Sequence, residues 1–360
     1  MMAGSSNSTK AAGISNVWLF AAGTLVVFHL GVTRSPLVFL LVLSLSTALG
    51  FAFAPSTTAM TWWLLLFTAV LPQVVLMHLG YYGYRGMSIA LVYWLWTVTQ
   101  GRFDPDLRTA DKSSARQSRF WQHLGAYFPA ELHMDGELKD GLFLFAVHPH
   151  GLWGSAVWSN LIPNRAGADL PRRRVCTLDM NFRMPLLRDI LFAMGLIGSS
   201  AKSIRKCLSA GTSVMLVVGG GREAMLTRPG TMDVVLQTRK GFVKIALETG
   251  ASLVPVIGFG ETSCYALAAG ASFWNPLNWF LLQTLGMSLP ILQGWHGTFL
   301  PYPTPLVTVI GQPLTVSKTP SPTQEQIDRV HSDYCIAVKA LYDKYKDKFD
   351  QCRTSEMRFV

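Results

Sequence analysis

The chain has 360 residues, half of them hydrophobic but only 14% charged, and its net charge is +10. Soluble domains usually carry about 25% charged residues. This composition excludes a disordered chain, a disulfide-stapled miniprotein and an ordinary cytosolic enzyme, and it points to a membrane-attached protein long enough to bury its own core.

The charge deficit is uneven. Residues 1–100 hold Lys10, Arg34 and Arg85 and no acid; the first acid is Asp104. Apolar runs at 14–33, 36–54 and 61–80, with a weaker one at 87–99, reach or approach the ~20 residues a spanning helix needs. Residues 1–100 are therefore expected to form a hydrophobic anchor of two to four spans. The first run reads as a retained anchor rather than a signal peptide, because its flank carries one Lys and no clear cleavage site. Residues 101–140 turn polar and basic and read as a linker with a short interfacial helix, Phe120 and Trp121 facing headgroups.

From 141 onward strands alternate with helices. Short apolar runs at 143–147, 175–178, 214–218, 253–257 and 307–310 predict buried parallel strands. Helical stretches lie at 152–162, 184–195, 202–210 and 240–249. Ser321 and Pro322 predict the cap and first turn of a C-terminal helix over 322–349. The expected fold class of 141–360 is thus α/β with a mostly parallel sheet. Within it, residues 262–317 carry no Asp, Glu, Lys or Arg and include Trp274, Trp279 and Trp295. This second gap reads as a membrane-dipping segment at a substrate entrance, or as core-packing loops.

The five cysteines, Cys176, Cys207, Cys264, Cys335 and Cys352, form no Cys-x-x-Cys pair and read as isolated thiols, not disulfides or zinc ligands. The basic excess suits anionic lipid or ligand phosphates, and no nucleic-acid motif is present.

The clearest chemistry follows the first strand, at His148-Pro149-His150-Gly151. Ligands of α/β sheets bind at the carboxyl ends of strands. A His there suits a general base, and a helix N-terminus just after it suits an oxyanion. A structural turn with one satisfied His is the alternative. A second candidate ends another strand, Gly219-Gly220-Gly221-Arg222-Glu223. It lacks the Walker and dinucleotide fingerprints and reads either as a ligand loop or as a Gly-rich turn with a surface ion pair. A third, Arg239-Lys240-Gly241-Phe242-Val243-Lys244, offers cations to phosphates or simply starts a solvated helix. Arg183, before Met184-Pro185, reads equally as a surface residue or a site residue. No Gly-x-Ser-x-Gly elbow is present, which disfavours an α/β-hydrolase.

Taken in order, these segments resemble the type-2 diacylglycerol acyltransferase family, which includes monoacylglycerol and wax-alcohol acyltransferases. The matching segments are Tyr127-Phe128-Pro129, His148-Pro149-His150-Gly151, Asn181-Phe182-Arg183-Met184-Pro185, Gly219-Gly220 with Glu223, Arg239 to Ala246, and Val254-Pro255 running to Phe259-Gly260-Glu261. The resemblance implies a glycerolphosphate-acyltransferase-like domain. It implies transfer of a fatty acyl group from acyl-CoA to the free hydroxyl of diacylglycerol, at the endoplasmic reticulum membrane or lipid-droplet surface with the catalytic domain facing the cytosol. Monoacylglycerol, a long-chain alcohol or a sterol are alternative acceptors, and a non-catalytic lipid-binding droplet protein is the alternative of another class. The expected partners are acyl-CoA, diacylglycerol and membrane lipid, with a homo-oligomer compatible and no metal or cofactor beyond the acyl-CoA co-substrate.

Related acyltransferases place an Asp five positions after their His; here the first acid after His150 is Asp169. Glu223 is the candidate to replace that Asp behind His150 as base. His148 is expected to orient the loop or bind substrate. Pro149, Gly151, Arg183, Gly219 and Gly220 are expected to line the site, with Arg239, Lys240 and Lys244 on the coenzyme A phosphates.

Overall fold

A computed structural model describes residues 119–163, 170–183, 187–267, 292–295 and 301–360, with residues 88, 92, 93, 95, 96, 99, 116, 276, 280 and 283. The apolar runs at 14–33, 36–54 and 61–80, about half of 87–99, and the middle of 262–317 (268–291 apart from 276, 280 and 283, with 296–300) lie outside the described residues. Among the described residues, no helix is long and apolar enough to cross a membrane.

The strands are β1 (Ala130–Met134), β2 (Phe143–His148), β3 (Arg173–Thr177), β4 (Leu196–Gly198), β5 (Ser213–Val217), β6 (Asp233–Val234), β7 (Ser252–Phe259), β8 (Ala266–Leu267), β9 (Leu292–Gln293), β10 (Leu306–Ile310) and β11 (Arg358–Phe359). The helices are α1 (Arg119–Tyr127), α2 (Leu187–Ala193), α3 (Ala201–Ser209), α4 (Gly220–Leu226), α5 (Gly241–Thr249) and α6 (Gln324–Phe349). Seven strands form one sheet in the order β1-β10-β7-β2-β5-β3-β4. Each neighbouring pair is parallel except β10 with β7. The architecture is mixed α/β with a mostly parallel sheet, as the alternation of elements implies.

Strand β2 lies at the centre and is buried along its whole length. A strand covered on both faces needs apolar residues at successive positions, which Phe-Leu-Phe-Ala-Val provides. Leu144 and Ala146 enter one core with α3, α5 and α6. Phe143, Phe145 and Val147 enter the other with α1 and α2. The described residues from 119 onward thus form three layers, helices on both faces of the sheet.

Three features differ from the sequence reading. Part of the 101–140 stretch is built into the sheet: β1 pairs with β10, and Trp121 of α1 is only 4% exposed and stacks on Trp158. The amphipathic α1 therefore turns its Trp inward, not toward headgroups. The expected helix at 152–162 is a turn at 151–153 followed by a short helical piece that becomes a π-turn at Val157–Leu161. The last helix begins at Gln324, not 322, because Thr323 caps it. The Thr323 hydroxyl accepts from the Gln326 amide, and the Gln326 side chain accepts from the Thr323 amide, closing a capping box.

Candidate functional site

Registers Val147↔Val217 and His148↔Ile257 set the carboxyl ends of β5, β2 and β7 side by side. Three segments far apart in sequence meet at that edge: the His148–Gly151 turn, the glycines and Glu223 after β5, and Gly260-Glu261 after β7. In doubly wound sheets this edge is where ligands sit.

The two histidines point into different surroundings. His148 is 0% exposed. Its Nε2 lies 3.0 Å from the Tyr334 hydroxyl of α6, and that hydroxyl donates to the Ala146 carbonyl at 3.1 Å. Its Nδ1 has no partner among the described residues. Burial holds its pKa down at about 3, so the ring is neutral at any ordinary pH. His150 is partly exposed at the sheet edge. Its Nδ1 lies 2.9 Å from the Gly151 carbonyl. A carbonyl only accepts, so the proton sits on Nδ1 and Nε2 keeps its lone pair. Burial lowers the pKa of His150 below the usual 6.5, and the Gly151 bond only partly offsets this. His150 is thus a neutral imidazole with its basic nitrogen unprotonated near pH 7.

Glu223, 1% exposed, reaches this turn through the backbone. One carboxylate oxygen accepts the His150 amide at 2.6 Å and the other the Val235 amide at 2.8 Å. The expectation that Glu223 backs the His150 ring is not met: the Gly151 carbonyl sets the ring, and Glu223 holds the main chain beneath it. Gly219 leaves room for this, since a Cβ there would lie 2.1 Å from a Glu223 oxygen. Gly220 begins α4, and Pro149 is buried in the turn.

A second carboxylate escaped the role assignment made from sequence. Glu261, 2% exposed, accepts the Ser155 amide at 2.9 Å and the Ala156 amide at 2.5 Å. It caps the short helix after the His turn, where an anion is favoured. Those amides, which the sequence reading offered to an oxyanion, are occupied. Among the described residues, the Leu152 and Trp153 amides of the turn meet no acceptor. The signal for Glu261 was present: it is the last charged residue before the gap at 262–317. Burial raises both Glu223 and Glu261 to about 7, opposed by the amides that bind them.

The cations spread out. The Arg239 guanidinium donates to the Gly219 carbonyl at 3.4 Å and draws the Glu223 pKa down, so it stands at the site. Lys240 is ion-paired with Asp328 of α6 at 2.7 Å, and Lys244 is exposed on the outer side of α5. The Arg183 side chain lies outside the described residues. Beside the histidines, Trp153 is 60% exposed. The site thus presents a base, turn amides and an apolar rim, a set suited to acyl transfer to a hydroxyl.

A family model described as "Diacylglycerol acyltransferase" matches residues 81–359. The chain is 31% identical over 326 residues to diacylglycerol O-acyltransferase 2B of Umbelopsis ramanniana, covering 84% of this chain and 91% of that protein. It is 34% identical over 288 residues to diacylglycerol O-acyltransferase 2 of Dictyostelium discoideum, covering 75% and 86%. It is 34% identical over 284 residues to the Homo sapiens protein of that name, covering 72% and 71%. Among solved structures, the 1-acyl-sn-glycerophosphate acyltransferase PlsC of Thermotoga maritima aligns with a TM-score of 0.41 at 12% identity, over 81% of this chain and 97% of that one.

Proposed function

We propose, for a chain that belongs to the diacylglycerol acyltransferase family and is an acyltransferase, that it moves a fatty acyl group from acyl-CoA to diacylglycerol and forms triacylglycerol. The observation that carries the mechanism is the His150 ring, whose Nδ1–H is committed to Gly151 while Nε2 remains a free base at the sheet edge. His150 Nε2 takes the proton of the acceptor hydroxyl, and the alkoxide oxygen attacks the thioester carbonyl. The amides of Leu152 and Trp153 are placed to hold the resulting oxyanion. Collapse of the tetrahedral intermediate breaks the C–S bond, and the departing thiolate takes the proton from the His150 imidazolium. Transfer is direct, with no acyl-enzyme, and acyl-CoA is the only co-substrate the scheme calls for.

His148 acts inside the fold, as its burial supports. Arg239, which stands at the site, meets a phosphate of coenzyme A. The charge-free runs of 1–100 support an anchor in the endoplasmic reticulum membrane or at a droplet surface, with the catalytic domain toward the cytosol. They also support a substrate that stays in the bilayer. Expression in cells lacking neutral lipid tests this reading. Triacylglycerol should accumulate with the native chain and not with His150→Ala. Accumulation of a wax or sterol ester would move the acceptor to an alcohol, and no ester at all would overturn the assignment.

A further inference from the structure

The C-terminal helix brings one polar group to the catalytic strand. Tyr334 is fully buried, and Ile327, Val338 and Leu341 of the same helix enter the same core, while the nearby buried His331 is bonded to the Leu236 carbonyl. Phe242 of α5 packs edge-on against the Tyr334 ring, with centroids 5.1 Å apart. A Phe at 334 would satisfy that packing. The hydroxyl needs another reason, and it has two partners, both on the catalytic strand. It donates to the Ala146 carbonyl at 3.1 Å and therefore accepts from His148 Nε2 at 3.0 Å, across 186 residues of sequence. The bridge also fixes the His148 tautomer, with the proton on Nε2 and a lone pair on Nδ1.

We propose that Tyr334 is a positioning residue for acyl transfer, acting through His148 on His150, an inference that rests on His150 being the base. The bridge ties the last two inward-facing groups of β2 to a long helix. Two residues further on, Glu223 ties the His150 amide to α4. Between these two anchors the turn has one way to present the His150 ring. Without the hydroxyl, the His148 Nε2–H is left buried without its partner and the turn relaxes. Loose placement of a general base lowers the rate of the chemical step and leaves ground-state binding alone.

The test uses the full-length protein in mixed micelles and measures kcat and KM for acyl-CoA and for diacylglycerol. Tyr334→Phe is expected to lower kcat about tenfold, with both KM values within about twofold. The control is Tyr342→Phe. Tyr342 is equally buried on the same helix, but its hydroxyl has no partner among the described residues. That variant should keep kcat. A double variant, Tyr334→Phe with His148→Leu, should lose far less than the product of the two single losses, because the effect of the hydroxyl on His150 runs through that ring. Unchanged kcat in Tyr334→Phe, or additive losses in the double variant, overturns the proposal. His150→Ala is assayed alongside. If it retains full activity, the base assignment itself fails; if it is inactive while Tyr334→Phe is normal, only the role of Tyr334 fails.

Discussion

A Cβ placed on Gly151 would fall 2.3 Å from Glu261 Oε1, so the glycine that ends the His-Pro-His-Gly turn and the carboxylate that ends β7 occupy adjoining space. Gly151 also has φ +59°, a region that side chains disfavour by roughly 1–2 kcal/mol. Gly151→Ala therefore meets two independent obstacles. It should lower activity at least about a hundredfold, since displacing Glu261 frees the helix after His150. Steady-state assay and a thermal melt of the purified variant check this; a Gly151→Ala protein with native kcat would mean the turn tolerates both.

Gly219→Ala separates space from backbone strain. Gly219 has φ −67°, which Ala adopts freely, so any loss comes from pushing Glu223 off the His150 amide. We expect a drop in kcat of about tenfold or more. Shortening the acid should return part of it, so the Gly219→Ala/Glu223→Asp double variant is expected to be faster than Gly219→Ala. A slower double variant would show that the glycine serves something other than the carboxylate.

The two carboxylates give the fold a pH signature. Their folded pKa is raised from 4.5 to about 7, mainly by burial. Between those values the unfolded chain has released protons that the folded protein still holds. Stability is therefore highest toward pH 4.5 on their account, falls as pH rises to 7, and is flat above. The contribution is on the order of 3 kcal/mol per group. Melting temperatures measured from pH 5 to 8 should decline and then level off, and Glu261→Gln should make the decline shallower. His150, whose pKa lies below 6.5, is already neutral across the upper part of this range.

Trp153 is expected to act at the rim. It is 60% exposed beside the base, so its replacement removes little packing. Trp153→Ser should change the melting temperature by no more than about 1 °C. It should lower activity on diacylglycerol delivered in vesicles more than on a short-chain acceptor in solution. Equal losses on both acceptors would assign Trp153 to the chemistry instead.

Arg239 and Lys244 test the reading of the basic segment. Arg239→Ala should raise the acyl-CoA KM about tenfold, as expected for one desolvated phosphate contact. Lys244→Ala should change it less than about twofold, because Lys244 is exposed on the outer side of α5. The reverse order would move the phosphate site outward.

Five of the seven strands of the main sheet could be read from sequence because burial on both faces forces runs such as Phe143–Val147; β4, three residues long, is too short to show such a run. Strand β1, Ala-Glu-Leu-His-Met, could not, since a half-exposed strand that pairs only with β10 has no such run. The His turn and Glu223 were visible as motifs at strand ends. What stayed hidden was which atom does what. Glu223 binds an amide and not a ring, and Glu261 fills a helix N-terminus that looked open. Nothing in the sequence of α6 singles out Tyr334, because helical spacing reports the face a residue occupies and not the bond its hydroxyl makes.

Phe259 at the end of β7 pairs with Val307 near the start of β10, and the long uncharged stretch leaves and returns at that pair. Its departure and its return are fastened together, by Tyr302 N–H to the Cys264 carbonyl as well as by the strands. The stretch is in this sense a cassette. With both ends held by backbone pairing, a change of length between them need not alter the register of the sheet that carries the base.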